Sequence, residues 1–236
     1  MVRSKKSNST PTSARKISVF DDPPRKNVIL LSCMDQRLLD ETVRFMNALN
    51  LHNRYDQVAL AGGAMGTLQL PKPELPEDER WQGVFQTHLD KAINVLHRPI
   101  QDVFLLDHLD CGAYKYLHPD LDVRTKYQAA SLCDMIPLHQ RELSCLAAEL
   151  RQFIDYQRQL AQNEFNAAYN ACAAHKNDKT KKEEENNCWS YVSEQGKKKV
   201  EAWASIRVSY FVMDLLGNVT QLDVPKGEND SFQPKP

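Results

Sequence analysis

The chain has 236 residues, enough for one domain with a sizeable core or a small pair. A formal net charge of −1 supplies no field to recruit nucleic acid or an anionic membrane, and no apolar run is long enough to span a bilayer. Six cysteines without a secretory-signal pattern point to reduced thiols in an intracellular, cytoplasmic protein, some of them available as metal ligands.

Residues 1–26 read as a disordered basic Ser/Thr-rich tail, with Arg3, Lys5, Lys6, Arg15 and Lys16 and little to bury. Residues 27–225 then form a single α/β zinc-binding domain, and 226–236 a polar C-terminal tail. Pro23-Pro24 stop the chain ahead of the first strand. The apolar run Val28–Leu31 predicts that strand, and it leads into Cys33, Asp35 and Arg37 at alternate positions. Leu39, Val43, Met46 and Leu49 recur at the spacing of one helix face. Next comes a short strand, Gln57–Leu60, ending in Ala61-Gly-Gly-Ala-Met-Gly66. Glycines there allow a close backbone approach to a ligand, and a plain tight turn explains them equally well. Residues 71–81 read as an exposed loop.

Phe85, Leu89, Ala92, Ile93 and Leu96 make a second helical face, and Pro99 closes it. The run Val103–Leu106 predicts a third strand, which runs into Asp107-His-Leu-Asp-Cys-Gly112. Alternating strands and helices with long crossovers predict an α/β fold with a central, mainly parallel sheet flanked by helices. Sites in such sheets form beyond the carboxyl ends of the strands, where Cys33, the Gly62-Gly63 loop, His108 and Cys111 all fall. The second half reads as mainly helical, with a core stripe of Leu143, Leu146, Leu150, Phe153 and Ile154. A solvated charge cluster around 176–187 follows, and Ile206–Val212, Gly217-Asn218 and Val219–Leu222 predict a late strand and closing hairpin.

Zinc takes Cys and His tetrahedrally, and a catalytic zinc commonly has three protein ligands and one open position. Cys33, His108 and Cys111 form such a Cys2His set, with Zn²⁺ as the expected cofactor. Taken singly, each residue has a plainer reading. Cys33 suits a buried strand-end thiol, Asp35 a helix N-cap, Arg37 a surface charge, and His108 and Cys111 packing residues in a turn tightened by Gly112. It is their combination that points to a metal. Cys133, Cys145, Cys172 and Cys188 read as structural. His52, His88, His97, His118, His139 and His175 read as surface or satisfied core residues.

Cys33-Met-Asp-Gln-Arg37 together with His108-Leu-Asp-Cys111-Gly-Ala resembles the zinc signature of the β-class carbonic anhydrases. Phe211-Val-Met-Asp214 with Gly217-Asn-Val219 is similar to that family's closing hairpin, and the resemblance covers roughly 26–134 and 204–224. It implies a zinc lyase that hydrates carbon dioxide reversibly to bicarbonate, by attack of zinc-bound hydroxide. It also implies a catalytic Asp35/Arg37 pair beside the metal, in which Arg37 holds Asp35 away from it, and a homodimer or higher homo-oligomer. Asp35 is a further candidate ligand. Two other readings stay open: a hydrolase for carbonyl sulfide or carbon disulfide, and a non-catalytic zinc-binding protein. The chain departs from the family pattern in several places. Ala59-Leu60 precede the glycines where Arg-Asn is usual, no glutamine occurs in 17–27, Gln36 stands at a common serine position, and Asp107 stands where glycine often precedes the histidine.

Overall fold

The computed structural model describes residues 15–16, 27–69, 80–117, 132–175, 188–190 and 192–222. Six strands form one sheet: β1 (Arg15–Lys16), β2 (Asn27–Cys33), β3 (Tyr55–Leu60), β4 (Ile100–His108), β5 (Arg207–Met213) and β6 (Val219–Gln221), in the spatial order β1-β6-β5-β4-β2-β3. The four strands β3, β2, β4 and β5 run parallel, while β6 and β1 add antiparallel edges. The helices are α1 (Leu39–Ala48), α2 (Gly63–Gln69), α3 (Trp81–Asn94), α4 (Gly112–Leu117), α5 (Leu132–His175) and α6 (Lys197–Ala204).

Successive strand residues point to opposite faces, and both faces here are covered. One face presents Ile29, Leu31, Val103, Leu105, Tyr210 and Val212 to a core completed by Phe85 and Leu89 of α3, Leu143, Leu146 and Leu150 of α5, and Trp203 of α6. The other presents Val28, Leu30, Phe104, Leu106, Phe211 and Met213 to Phe45 and Met46 of α1. That double burial is why β2 and β4 read as unbroken apolar runs rather than alternating ones. The expected α/β fold with a mainly parallel sheet is the observed one.

Several details differ from the sequence expectations. Helix α1 buries Thr42, Phe45 and Met46, with Leu38 buried just ahead of it, whereas Leu39 and Val43 stand 58% and 39% exposed. Two stripes interleave there at helical spacing, and the β-sheet selected the one carrying Phe45, which packs edge-to-face on Phe211 with ring centroids 5.2 Å apart. Leu96 lies beyond the end of α3 and is exposed. Within the stretch read as a tail, Arg15 and Lys16 pair with Gln221 and Thr220 of β6. Cys172 and Cys188, expected as reduced thiols, are joined by a disulfide, while Cys145 is a free, exposed thiol. The loop expected at 71–81 and the charge cluster at 176–187 lie largely or wholly outside the described residues. Among the described residues, no helix is long and apolar enough to cross a membrane.

Candidate metal centre

The parallel register assembles the site. Ser32 of β2 lies level with Leu106 of β4, so Cys33 and His108 leave the same sheet edge from adjacent strands. The turn after β4 brings Cys111 back beneath them, with Asp110 in the left-handed region at φ +60°, which Asp tolerates better than most residues. The ligand atoms of Cys33, His108 and Cys111 all lie within 4.8 Å of one another. The two sulfurs are 3.9 Å apart.

The donor set fits a borderline-soft cation such as zinc. His108 is buried, and its Nδ1 lies 2.7 Å from the carbonyl of Leu109. A carbonyl only accepts, so Nδ1 carries the proton and Nε2 has a lone pair to offer. Nε2 is itself buried and without a hydrogen-bond partner among the described residues. A buried acceptor facing two thiols, with nothing to satisfy it, is what a metal ligand looks like before the metal is added. Without a cation, the thiols share charge unevenly. Cys33 is driven well below the ordinary thiol range by the hydrogen bond from Cys111, against the opposing effect of burial, with His108 helping. Cys111 is pushed up by that same bond and by burial. Burial opposes protonation of His108, but the neighbouring Cys33 sulfur, helped by the Leu109 carbonyl and by Asp35, outweighs it, so its pKa is raised.

Asp35 serves two purposes. Its Oδ1 accepts the backbone N–H of Arg37 at 3.0 Å, capping a short 3-10 turn over Gln36–Leu38. Its carboxylate also receives the Arg37 guanidinium, with Nη2 to Oδ2 at 2.7 Å and Nε to Oδ1 at 3.0 Å. The Arg37 hydrogen bond holds the Asp35 carboxyl down to about 2, despite some burial. Asp35 Oδ2 is 3.7 Å from His108 Nε2, so the carboxylate borders the ligand cluster while bound to Arg37. Thus the N-cap reading and the paired-charge reading of Asp35 both hold.

Sequence reasoning missed several neighbours. Asp110 receives Arg37 Nη1 at 2.8 Å, and its carbonyl receives Nη2 at 3.2 Å, tying Arg37 to the turn that carries Cys111. Gly62, at φ +82°, directs its N–H at Cys33 Sγ at 3.4 Å, and a Cβ there would meet that of Ala113 at 2.5 Å. The tight-turn reading of the glycines therefore applies, and the close approach made by Gly62 is to the side chain of Ala113. His139 is fully buried against Asp107 and Tyr114 rather than being a surface or satisfied residue, since its Nε2 has no partner among the described residues. The signal was available: His139, Leu143, Leu146 and Leu150 share one helical stripe.

No family model matches the chain. It is 31% identical over 100 residues to an uncharacterized protein of Rickettsia conorii, a match that covers 42% of this chain and 50% of that one. An uncharacterized protein of Rickettsia bellii is likewise 31% identical over 100 residues, covering 42% and 56%. The match thus spans about half the length of these relatives. Among solved structures, the β-carbonic anhydrase CafD of Aspergillus fumigatus aligns over 90% of this chain and 100% of its own, with a TM-score of 0.37 and 12% identity. The β-carbonic anhydrase CcaA aligns over 84% and 80%, with a TM-score of 0.35 and 13% identity. Superpositions of that quality carry no functional argument, and the side-chain geometry has to supply one.

Proposed function

We propose that this chain is a zinc-dependent enzyme for the reversible hydration of carbon dioxide to bicarbonate. The observation that carries the reading is the convergence of Cys33, His108 and Cys111 within 4.8 Å, beside a carboxylate that a guanidinium already holds. Cys33, His108 Nε2 and Cys111 would hold the metal. When bound, zinc lowers the pKa of water to about 7, which makes a hydroxide nucleophile available near neutrality.

The chain's own residues supply orientation. Ionised Asp35 has only acceptor atoms, so it can take a hydrogen bond from a reacting O–H group and fix the direction of its remaining lone pairs. Arg37 occupies both Asp35 oxygens and keeps the carboxylate from turning toward the cation. Asp110 steadies Arg37 from the opposite side. Leu109 fixes the His108 tautomer, so that imidazole enters the site as a neutral ligand.

The test is initial rates of carbon dioxide hydration by zinc-loaded protein, from neutral to alkaline pH. Rates rising with pH and abolished by chelation are expected. Stoichiometric zinc with no hydration at any pH would leave a metal-binding protein and end the enzymatic reading.

A homodimer or higher homo-oligomer belongs to the same reading. In its support, Met34, Leu39 and Leu216 stand 62%, 58% and 82% exposed, large apolar side chains that a partner surface could cover. Light scattering at micromolar concentration should return at least twice the chain mass. A lone monomer would remove this part of the proposal.

A further inference from the structure

We propose that Asp107 is a positioning residue whose one buried carboxylate braces the two segments beside the candidate metal cysteines, the glycine loop that donates to Cys33 and the helix that follows Cys111. The inference rests on the reading of Cys33 and Cys111 as metal ligands. Asp107 is 1% exposed and sits in β4 one residue before His108. Its Oδ1 accepts the Ala64 N–H at 3.0 Å. Its Oδ2 accepts the Tyr114 hydroxyl at 2.5 Å and lies 3.2 Å from His139 Nδ1.

Two of those contacts fix segments beside the candidate metal cysteines. Ala64 lies in the first turn of α2, two residues after Gly62, whose N–H points at Cys33 Sγ. Tyr114 lies in α4, the helix that starts immediately after Cys111, and packs with Cys111 and Met65 in one small buried cluster. One carboxylate therefore braces the glycine loop and α4 against the same strand end. His139 locks the arrangement from α5, with its ring centroid 4.3 Å from that of Tyr114. Gly63 makes room for it, because a Cβ there would lie 2.5 Å from Asp107 Oδ1.

The chemical consequence lies in the metal–sulfur bonds. N–H donors withdraw charge from a thiolate, and partners one step beyond the ligands tune both affinity and electronic structure. Losing them should raise the energy of the sulfur lone pairs and move the thiolate-to-cobalt charge-transfer band of Co²⁺-substituted protein to longer wavelength.

The experiment compares the full chain with Asp107→Ala, Asp107→Asn and Tyr114→Phe. In metal-free protein, hydrogen exchange should quicken in both 61–66 and 112–117 for Asp107→Ala, but only in 112–117 for Tyr114→Phe. With Co²⁺, the charge-transfer band should shift in both variants. Zinc affinity, read by chelator competition, should fall about 10–100-fold in Asp107→Ala. Asp107→Asn keeps the shape and an acceptor for the Ala64 N–H but puts an NH2 donor where Oδ2 accepted from Tyr114, so exchange should stay near parental in 61–66 and quicken in 112–117. A folded Asp107→Ala with parental exchange, or with an unmoved band, overturns the proposal. If Asp107→Ala does not fold, Tyr114→Phe decides by the same two readouts, since it removes a single hydroxyl. If the parent takes up no Co²⁺ or Zn²⁺, the functional reading fails, and the exchange arm alone still decides whether Asp107 braces the two segments.

Discussion

Arg37→Ala is expected to keep its zinc yet lose carbon dioxide hydration by about 10²-fold or more, the scale on which a misplaced group near the reacting atoms acts. Arg37 is half exposed, and surface ion pairs contribute only about 0–1 kcal/mol to stability, so the variant should fold normally. What changes is the freedom of Asp35. Its Oδ2 already lies 3.7 Å from His108 Nε2, and without the guanidinium a carboxylate beside a dication is strongly drawn to coordinate it. It would then fill the position that the reactive water needs. Arg37→Lys should rescue poorly, because an ammonium cannot engage both Asp35 oxygens and the Asp110 carboxylate in one plane. Zinc content and initial rates on the two variants and the parent decide the matter. Parental rates from fully loaded Arg37→Ala would reduce Arg37 to a surface charge.

Cys33→Ser, His108→Ala and Cys111→Ser should each reduce zinc from about one per chain to nearly none after dialysis against a weak chelator. Three ligands are the usual minimum for such a site, and each substitution leaves two. Thermal stability supplies an independent readout. Saturating the parent at about 100 times its dissociation constant should add about 2.7 kcal/mol. For a chain of this size, that corresponds to a rise of roughly 5–10 °C in Tm. None of the three variants should show that rise. Stoichiometric metal in all three would mean that the convergence of these side chains is packing and nothing more.

Cys33, Asp35, Arg37, His108 and Cys111 were legible in the sequence because each closely follows an apolar run, and parallel strands place such residues at one edge. Legibility ended where a side chain's role depends on distant partners. Asp107 extends the Val103–Leu106 run and gives no hint that Ala64, Tyr114 and His139 converge on it. The phase of α1 was half right for a related reason. Of the expected face, Met46 is buried and Leu49 packs on the core, while Leu39 and Val43 give way to Leu38 and Phe45, which the sheet receives. The pairing of Cys172, near the end of the 44-residue helix α5, with Cys188 likewise joins residues 16 apart that no periodicity links.

The register of β2 on β4 also bears on how such a site is inherited. Val28 to Ser32 pair one-for-one with Asp102 to Leu106, so inter-strand hydrogen bonds, not loops, set where Cys33 and His108 emerge. Replacing one apolar residue of these runs by another leaves that geometry alone. Inserting a single residue advances everything after it by about 3.3 Å and turns it to the opposite face, which would carry Cys33 out of reach of His108. Apolar identity within these runs is therefore the freer variable and strand length the constrained one. Distant kin that share the chemistry should be recognisable by the count of residues between strand and ligand when little else in their sequences agrees.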